Sequence, residues 1–357
     1  MHKADDSGIK TLNQAYRRYE QVDKQQVYGL SENDSVDSYD EQACIQVCDM
    51  QPYFSGGEPG KREFAAALGQ AMADIGFAVI INHGVPAQLY RDTEKLVLSF
   101  FQSTPEPARQ PYLAQRHGSV NQGYFPVRET SQIHPDLVEG WVFCRRAFNM
   151  LNDAAFNARR YWPQTEFEPQ FRRLVHAHEA LILPLMQSML RYLGCDPQLY
   201  DERLQATNFG FRLNYYPPLE ASDHSGGGRM LGHEDVDLFT LLPAPSVEGL
   251  QVLNRANGKW IRLQAPPGSL IINTGDYMQR ISNDRFPSTT HRVARPRDTA
   301  ANGLPRVSFP MAIYLWEDEM LEVLPGLGEP KYPPIRAETF HTRITSKYYG
   351  DDYALGE

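Results

Sequence analysis

Between Thr207 and about Leu315 the apolar residues come in short alternating runs, cut by Pro217-Pro218, Gly226-Gly227-Gly228, Asn257-Gly258 and Pro266-Pro267-Gly268. That punctuation forbids long helices, because proline lacks the N–H a helix interior needs and glycine runs offer no side chain to pack. The spacing predicts roughly seven or eight antiparallel strands. Asn257-Gly258, between Leu250-Gln-Val-Leu and Trp260-Ile-Arg-Leu, carries the signature of a hairpin turn. Eight such strands would close as a jelly roll whose mouth can hold a cofactor.

Upstream the texture is helical. Phe64, Leu68, Met72 and Ile75 recur at helical spacing, and Phe77 to Ile81 then reads as a short apolar strand. Leu89, Thr93, Leu96 and Phe100 predict a second amphipathic helix, opened at Pro86 and ended before Pro105. A third runs from about Glu168 to Gly194, with Phe171, Leu174, Leu181, Leu185 and Met189 inward and a kink expected at Pro184. The first residues, with the acidic stretch Ser31 to Asp40, read as an arm that buries little surface. Tyr332 to Glu357 reads as a polar helix docked by aromatic anchors, including Phe340, Tyr348, Tyr349 and Tyr353. The expected organisation is an arm over 1–42, a helix-and-strand region over 43–206, a jelly-roll core over 207–320 and a C-terminal cap over 321–357. Residues 43–357 are read as one structural domain, of mixed α/β class with a mainly β core.

Charge and composition narrow the function. Thirty-five Lys and Arg stand against 44 Asp and Glu, a net charge of −9, and no basic run exceeds pairs such as Arg159-Arg160. Nucleic acid is therefore not an expected partner, since binding it requires clustered cations to neutralise phosphates. The longest apolar run, Met311 to Trp316, falls far short of the ~20 residues of a membrane span. Met1 to Asp6 lack the apolar core of a secretory signal, so a cytoplasmic protein with reduced thiols is expected. A small-molecule substrate fits best, and the oligomeric state is left open.

His233-Glu-Asp235 and His291, beyond two predicted hairpins, supply two imidazoles and a carboxylate. If His233 and Asp235 lie on one strand, their two-residue spacing sends both side chains to the same side. Two His and one carboxylate converging inside a barrel form the facial triad of non-haem Fe(II) sites. Arg306 and Ser308 share a face by the same period, as do Asn214 and Tyr216.

The segment from Cys44 to Tyr349 resembles the isopenicillin N synthase-like family of Fe(II)/2-oxoglutarate-dependent oxygenases. The resemblance is carried by Asn214-Tyr-Tyr-Pro-Pro218, His233-Glu-Asp235-Val-Asp-Leu-Phe-Thr-Leu-Leu, Gly249-Leu-Gln-Val, Asn273-Thr-Gly-Asp-Tyr-Met-Gln-Arg-Ile-Ser-Asn-Asp, His291-Arg-Val and Arg306-Val-Ser308. Asp74-Ile-Gly-Phe-Ala-Val-Ile-Ile-Asn82-His83-Gly84-Val-Pro is family-like in the N-terminal part. It implies a double-stranded β-helix with packed N-terminal helices and a C-terminal helix, and a dioxygenase using Fe(II), 2-oxoglutarate and O2 with release of succinate and CO2. It further implies His233, Asp235 and His291 as metal ligands, with Arg306, Ser308, Asn214 and Tyr216 around the co-substrate. An arginine there makes chemical sense, since its planar fork matches a carboxylate. Two alternatives stay open: an isopenicillin N synthase-type oxidative cyclase that uses no 2-oxoglutarate, and a non-catalytic cupin-like metal binder.

Fourteen residues separate His291 from Arg306, a long interval for the family, which makes Arg295 and Arg297 competitors for the co-substrate. His83 is expected to be a scaffold histidine, His176 and His178 to lie on different faces of one helix, and His224 to sit in a solvated loop. Cys44 and Cys48 are expected to pack as small apolar residues. Asp276 is read as stabilising a turn.

Overall fold

The computed structural model describes residues 37–117, 120–127, 136–148, 161–219 and 229–349. The expectations for 1–36, His224, the triple glycine and Tyr353 lie outside them. Among the described residues no helix is long and apolar enough to cross a membrane.

Strand β1 (Val47–Asp49) leads through helix α1 (Gly57–Ile75) to β2 (Phe77–Ile81), which pairs with β1 in parallel. The helix ends on Gly76 in the left-handed conformation (φ 72°), whose N–H caps Met72 O. A Cβ there would come within 2.3 Å of Pro287 O, so the turn from helix to strand needs this glycine. Helix α2 (Ala87–Ser103) follows, then β3 (Gln115–His117), β4 (Val120–Phe125), β5 (Glu139–Phe143) and helix α3 (Phe167–Tyr192). The inner positions foreseen for α3 are all buried. In α2 the buried stripe is Tyr90, Thr93, Val97, Phe100 and Phe101, whereas Leu89 and Leu96 are half-buried, so that face is rotated from the expected one.

The second half contains β6 (Asn208–Tyr216), β7 (Met230–His233), β8 (Phe239–Pro243), β9 (Leu250–Asn254), β10 (Lys259–Arg262), β11 (Leu270–Thr274), a short helix α4 (Asp276–Ile281), β12 (His291–Val293), β13 (Arg306–Ser308) and β14 (Met311–Tyr314). Both β13 and β14 pair with β6, one after the other, as an interrupted strand. The larger sheet runs β1-β2-β11-β8-β14-β6-β5-β4-β3 and the smaller β10-β9-β12-β7. This is the expected jelly roll, with β9 and β10 joined across Asn257-Gly258. Helix α4 interrupts a stretch that the strand-rich texture had not marked as helical.

The larger sheet is buried on both faces, which is why Phe77 to Ile81 and Leu270 to Ile272 read as unbroken apolar runs. Ala78, Ile80, Leu270 and Ile272 pack outward in the helix-side core. Phe77, Val79 and Ile271 face inward against Leu250, Val252 and Ile261 of the smaller sheet. A separate inner cluster, Phe125, Val138, Tyr216 and Val293, receives Val142 and Met230.

Two expectations change. Cys48 is buried but Cys44 is exposed, so only the former packs as an apolar residue. The end of the acidic arm also does more than anticipated. Tyr39 bridges to Trp260, and Asp37 pairs with the buried Arg292 at 2.6 Å. The Arg292 guanidinium lies 3.9 Å from the Trp260 ring centroid and donates to Gln251 Oε1. The arm is thus tied to the residue following His291. At the other end, α5 (Ala337–Tyr349) forms the expected terminal helix, with Phe340 and Ile344 buried. Its first carbonyl, Ala337 O, accepts from Tyr277 of α4 at 2.9 Å, so α5 braces α4.

Replacing Asp37 by Ala leaves a buried guanidinium without its charged partner. A loss of about 2 kcal/mol is expected, read as a lower urea midpoint with an unchanged m value.

Candidate active site

The site forms where the two sheets meet. His291 on β12 is in register with His233 on β7, and their rings lie 4.4 Å apart. Asp235 stands beyond the end of β7. The common side of His233 and Asp235 was expected from strand alternation, yet it arises in the loop that carries the chain from the smaller sheet to β8. There Asp235 O accepts the Asp276 N–H at 2.8 Å, which fixes the loop on α4.

Each of the three side chains has one end held and one end free. His233 Nδ1 donates to Leu231 O at 2.8 Å and His291 Nδ1 donates to Thr289 O at 3.1 Å, so both imidazoles turn their Nε2 lone pairs inward. Asp235 Oδ2 accepts from Thr240 Oγ1 at 2.7 Å and from Asn273 Nδ2 at 2.8 Å. Its Oδ1 then lies 3.7 Å from His233 Nε2 and 3.9 Å from His291 Nε2. One ligand atom from each residue falls within 4.8 Å of the others, the only such group of three among the described residues. Two imidazole nitrogens and one carboxylate oxygen on one side of an ion suit Fe(II) and leave other positions open. Burial, and then His291, lower the His233 pKa and favour the neutral imidazole a metal needs. Burial pushes Asp235 up, but His291, His233 and its two hydrogen-bond donors outweigh it and hold the carboxyl below its ordinary range.

Asp237, Thr240 and Asn273 were not singled out from the sequence as site residues. Thr240 Oγ1 lies 2.7 Å from both Asp235 Oδ2 and Asp237 Oδ2, yet it has one proton. Burial, then the Asp235 charge, push the Asp237 pKa well up. A proton on Asp237 lets it donate to Thr240 and leaves the Thr240 proton for Asp235. The signal was present in His233-Glu-Asp-Val-Asp237, where a second carboxylate follows at the same two-residue interval.

The expected co-substrate residues come together on paired strands. Ser308 is opposite Asn214 and Arg306 is opposite Tyr216. Asn214 Nδ2 donates to Ser308 Oγ at 3.4 Å, and the Arg306 guanidinium lies 4.8 Å from the Tyr216 ring centroid. Arg306 is 1% exposed; its Nε donates to Val247 O at 3.1 Å, while its Nη1 has no partner. A buried, always-charged group with an unmet donor matches an anionic ligand. Asn214 Oδ1 is likewise unmet, and the Tyr216 hydroxyl reaches Met230 Sδ at 4.0 Å. Of the competing arginines, Arg297 is exposed beside Glu41 and Arg295 is half-buried.

The remaining candidates are structural. His83 Nε2 meets Gly268 O at 2.9 Å, His176 is exposed, and His178 is buried beside Tyr90. Asp276 is buried in the first turn of α4.

Residues 207–313 match the 2OG-Fe(II) oxygenase superfamily, and residues 45–165 match the N-terminal region of the non-haem dioxygenase in morphine synthesis. The chain is 29% identical over 336 residues to the 2-oxoglutarate-Fe(II) type oxidoreductase ppzC of Metarhizium majus, covering 84% of this chain and 86% of that one. It is 25% identical to the flavonol synthase/flavanone 3-hydroxylase of Matthiola incana, covering 80% and 95%. The fold resembles that of a full-length Neurospora crassa protein solved in complex with alpha-KG and thymine, with a TM-score of 0.76 at 23% identity over 87% of this chain and 99% of that one.

The outer hydrogen bonds carry a test. Asn273→Ala removes a donor to Asp235 Oδ2, and Fe(II) affinity measured by anaerobic titration is expected to fall about 10- to 100-fold.

Proposed function

The chain belongs to the 2OG-Fe(II) oxygenase superfamily and is an Fe(II)- and 2-oxoglutarate-dependent dioxygenase acting on a small molecule; from that premise we propose that His233, Asp235 and His291 hold the iron and that Arg306, Ser308, Asn214 and Tyr216 hold 2-oxoglutarate. One observation carries this reading. In all three proposed ligands the atom not needed by a metal is engaged with a protein partner, and the three remaining atoms converge.

When bound, Fe(II), 2-oxoglutarate and O2 supply a two-electron oxidation of the substrate, with succinate and CO2 as co-products. The residues supply position and charge. The two carbonyls fix the imidazole tautomers, so that neither ring has to rotate or lose a proton to bind the metal. Thr240 and Asn273 occupy Asp235 Oδ2, so the carboxylate offers Oδ1 alone and leaves space for exchangeable ligands. Arg306 supplies a fixed cation on the inward face, its stem held by Val247 O and the Tyr216 ring. The Ser308 hydroxyl and Asn214 amide next to it add polar groups that turn a charge contact into an oriented one. The acidic composition and the lack of a basic run support a small organic substrate over nucleic acid.

Arg306→Leu leaves the iron ligands intact and removes charge-assisted bonds to the far carboxylate of 2-oxoglutarate. The expected loss is about 3 kcal/mol, or ~100-fold in affinity. In an anaerobic titration the Fe(II) protein is expected to develop the metal-to-ligand charge-transfer absorption of chelated 2-oxoglutarate, and the variant to need far more co-substrate to reach it. Arg295→Leu and Arg297→Leu are expected to titrate like the parent. A weakened Arg297 variant beside an unaffected Arg306 variant would move the clamp.

A further inference from the structure

Arg212 is a second guanidinium on the inward face of the larger sheet that the co-substrate reading leaves unused. Its orientation follows from register. Asn273 and Thr240, which reach Asp235, are paired with each other; Thr240 pairs with Ala312 and Ala312 with Gly210. These residues share the face that looks onto the metal loop, and Arg212, Asn214 and Tyr216 continue it along β6 at two-residue intervals. Gly210 is two strand spacings from Thr240, about 10 Å. Arg212 is therefore one inward position beyond the strand row that carries the Asp235 anchors, and one short of Asn214.

Its surroundings agree. Across the strand pair it faces Val142, and its guanidinium lies 4.8 Å from the Phe125 ring centroid. Phe125 belongs to the inner cluster with Tyr216 and Val293, against which Val142 and Met230 pack. Val293 and Met230 are in register on the strands that carry His291 and His233. Arg212 thus projects between the sheets, over an apolar wall shared with the strands of the metal site.

What Arg212 lacks is an anion. Its Nε is buried without a hydrogen-bond partner, and among the described residues it forms no ion pair. Arg109, Arg145, Arg229 and Arg280 also leave Nε unmet, but each donates through another nitrogen, to Glu139, Glu179, Leu304 O and Pro333 O respectively, whereas the half-buried Arg212 has no such oxygen partner among the described residues. A cation–π contact alone offsets only part of what burying an unmet guanidinium donor costs. The other cation left short on this face is Arg306, assigned above to 2-oxoglutarate. Tyr216, its strand partner, is four residues from Arg212, about 13 Å along the strand. The two cations rise from separate positions and suit separate anions.

We propose that Arg212 binds a carboxylate of the primary substrate, so that this dioxygenase acts on a small organic acid whose apolar body lies against Phe125, Val142 and Met230. The inference rests on the function proposed above and names its substrate class. Arg212 sets which molecule is held and which part of it faces the metal; it takes no part in binding iron or 2-oxoglutarate.

The test uses the anaerobic protein loaded with Fe(II) and saturating 2-oxoglutarate. Phenylacetate, phenoxyacetate and octanoate are each titrated beside the corresponding uncharged amide, and binding is read by calorimetry and by perturbation of the charge-transfer absorption. At least one acid is expected to bind about 10- to 100-fold more tightly than its amide. Arg212→Leu is expected to abolish that preference and Arg212→Lys to keep part of it, with both variants needing the parent's 2-oxoglutarate concentration to within about twofold. Arg212→Gln, which preserves polarity and length, replaces the Leu variant if the latter fails to develop the absorption. No acid-over-amide preference in any pair would overturn the inference, as would a preference that survives in Arg212→Leu. So would an Arg212 variant that loses 2-oxoglutarate as Arg306→Leu does, since the residue would then serve the co-substrate. Absence of the absorption from the parent protein would overturn the underlying iron and 2-oxoglutarate reading, and this inference with it.

Discussion

The Asp235 carboxylate is the point on which the architecture turns. One oxygen is fixed by Thr240 of β8 and Asn273 of β11, both in the larger sheet, and the other faces His233 and His291, both in the smaller. A single side chain therefore joins the two halves of the roll at its polar end. It can stay ionised there because the imidazoles and the two donors outweigh the penalty of burial. The loop that carries it is fixed in turn. Its backbone accepts from Asp276 at the start of α4, and α4 is braced by the terminal helix through Tyr277 and Ala337. A segment remote from the site thus contributes to where the carboxylate stands.

The interior of the roll is divided by chemistry. Phe77, Val79, Val252 and Ile271 close one part with apolar packing. On the inward face of β6 and β13 the fold holds Arg306 and Arg212 with donors unmet. A chain selected for stability alone would gain by satisfying or removing them, because an unpaired buried donor costs more than a hydrogen bond returns. The function proposed above accounts for both, with Arg306 assigned to the co-substrate and Arg212 to a carboxylate of the substrate. The same argument separates these residues from Arg292, whose charge is matched by Asp37 and whose role is to tie the arm to the strand of His291.

Much of this was legible in the sequence, for identifiable reasons. The jelly roll followed from turn residues that end strands whatever surrounds them, and the common side of His233 and Asp235 followed from their two-residue interval, while His291, far along the chain, was linked to them by the resemblance of the surrounding motifs. Helix α3 declared itself through twenty-six residues of consistent periodicity. Features that depend on three-dimensional neighbours were less visible. The buried face of α2 packs against both α3 and strands β6 and β13, an arrangement that periodicity alone does not encode. Helix α4 is six residues long, too short for a helical pattern to emerge within a strand-rich run. The position of Asp235 beyond its strand gives the expected side-chain direction for a different reason, since the loop is set by α4. Thr240 and Asn273 look like ordinary strand residues until register brings them to one carboxylate. Asp37 lies in a segment whose composition signals exposure, and only its pairing with Arg292 shows otherwise.

The most direct test of the account is an anaerobic crystal structure with Mn(II) in place of Fe(II) and with 2-oxoglutarate. The metal is expected on His233 Nε2, Asp235 Oδ1 and His291 Nε2, with Asp235 Oδ2 still held by Thr240 and Asn273 and the far carboxylate of 2-oxoglutarate on Arg306 Nη1. A metal bound elsewhere, or a co-substrate carboxylate seated on Arg295 or Arg297 with Arg306 left unmet, would contradict it.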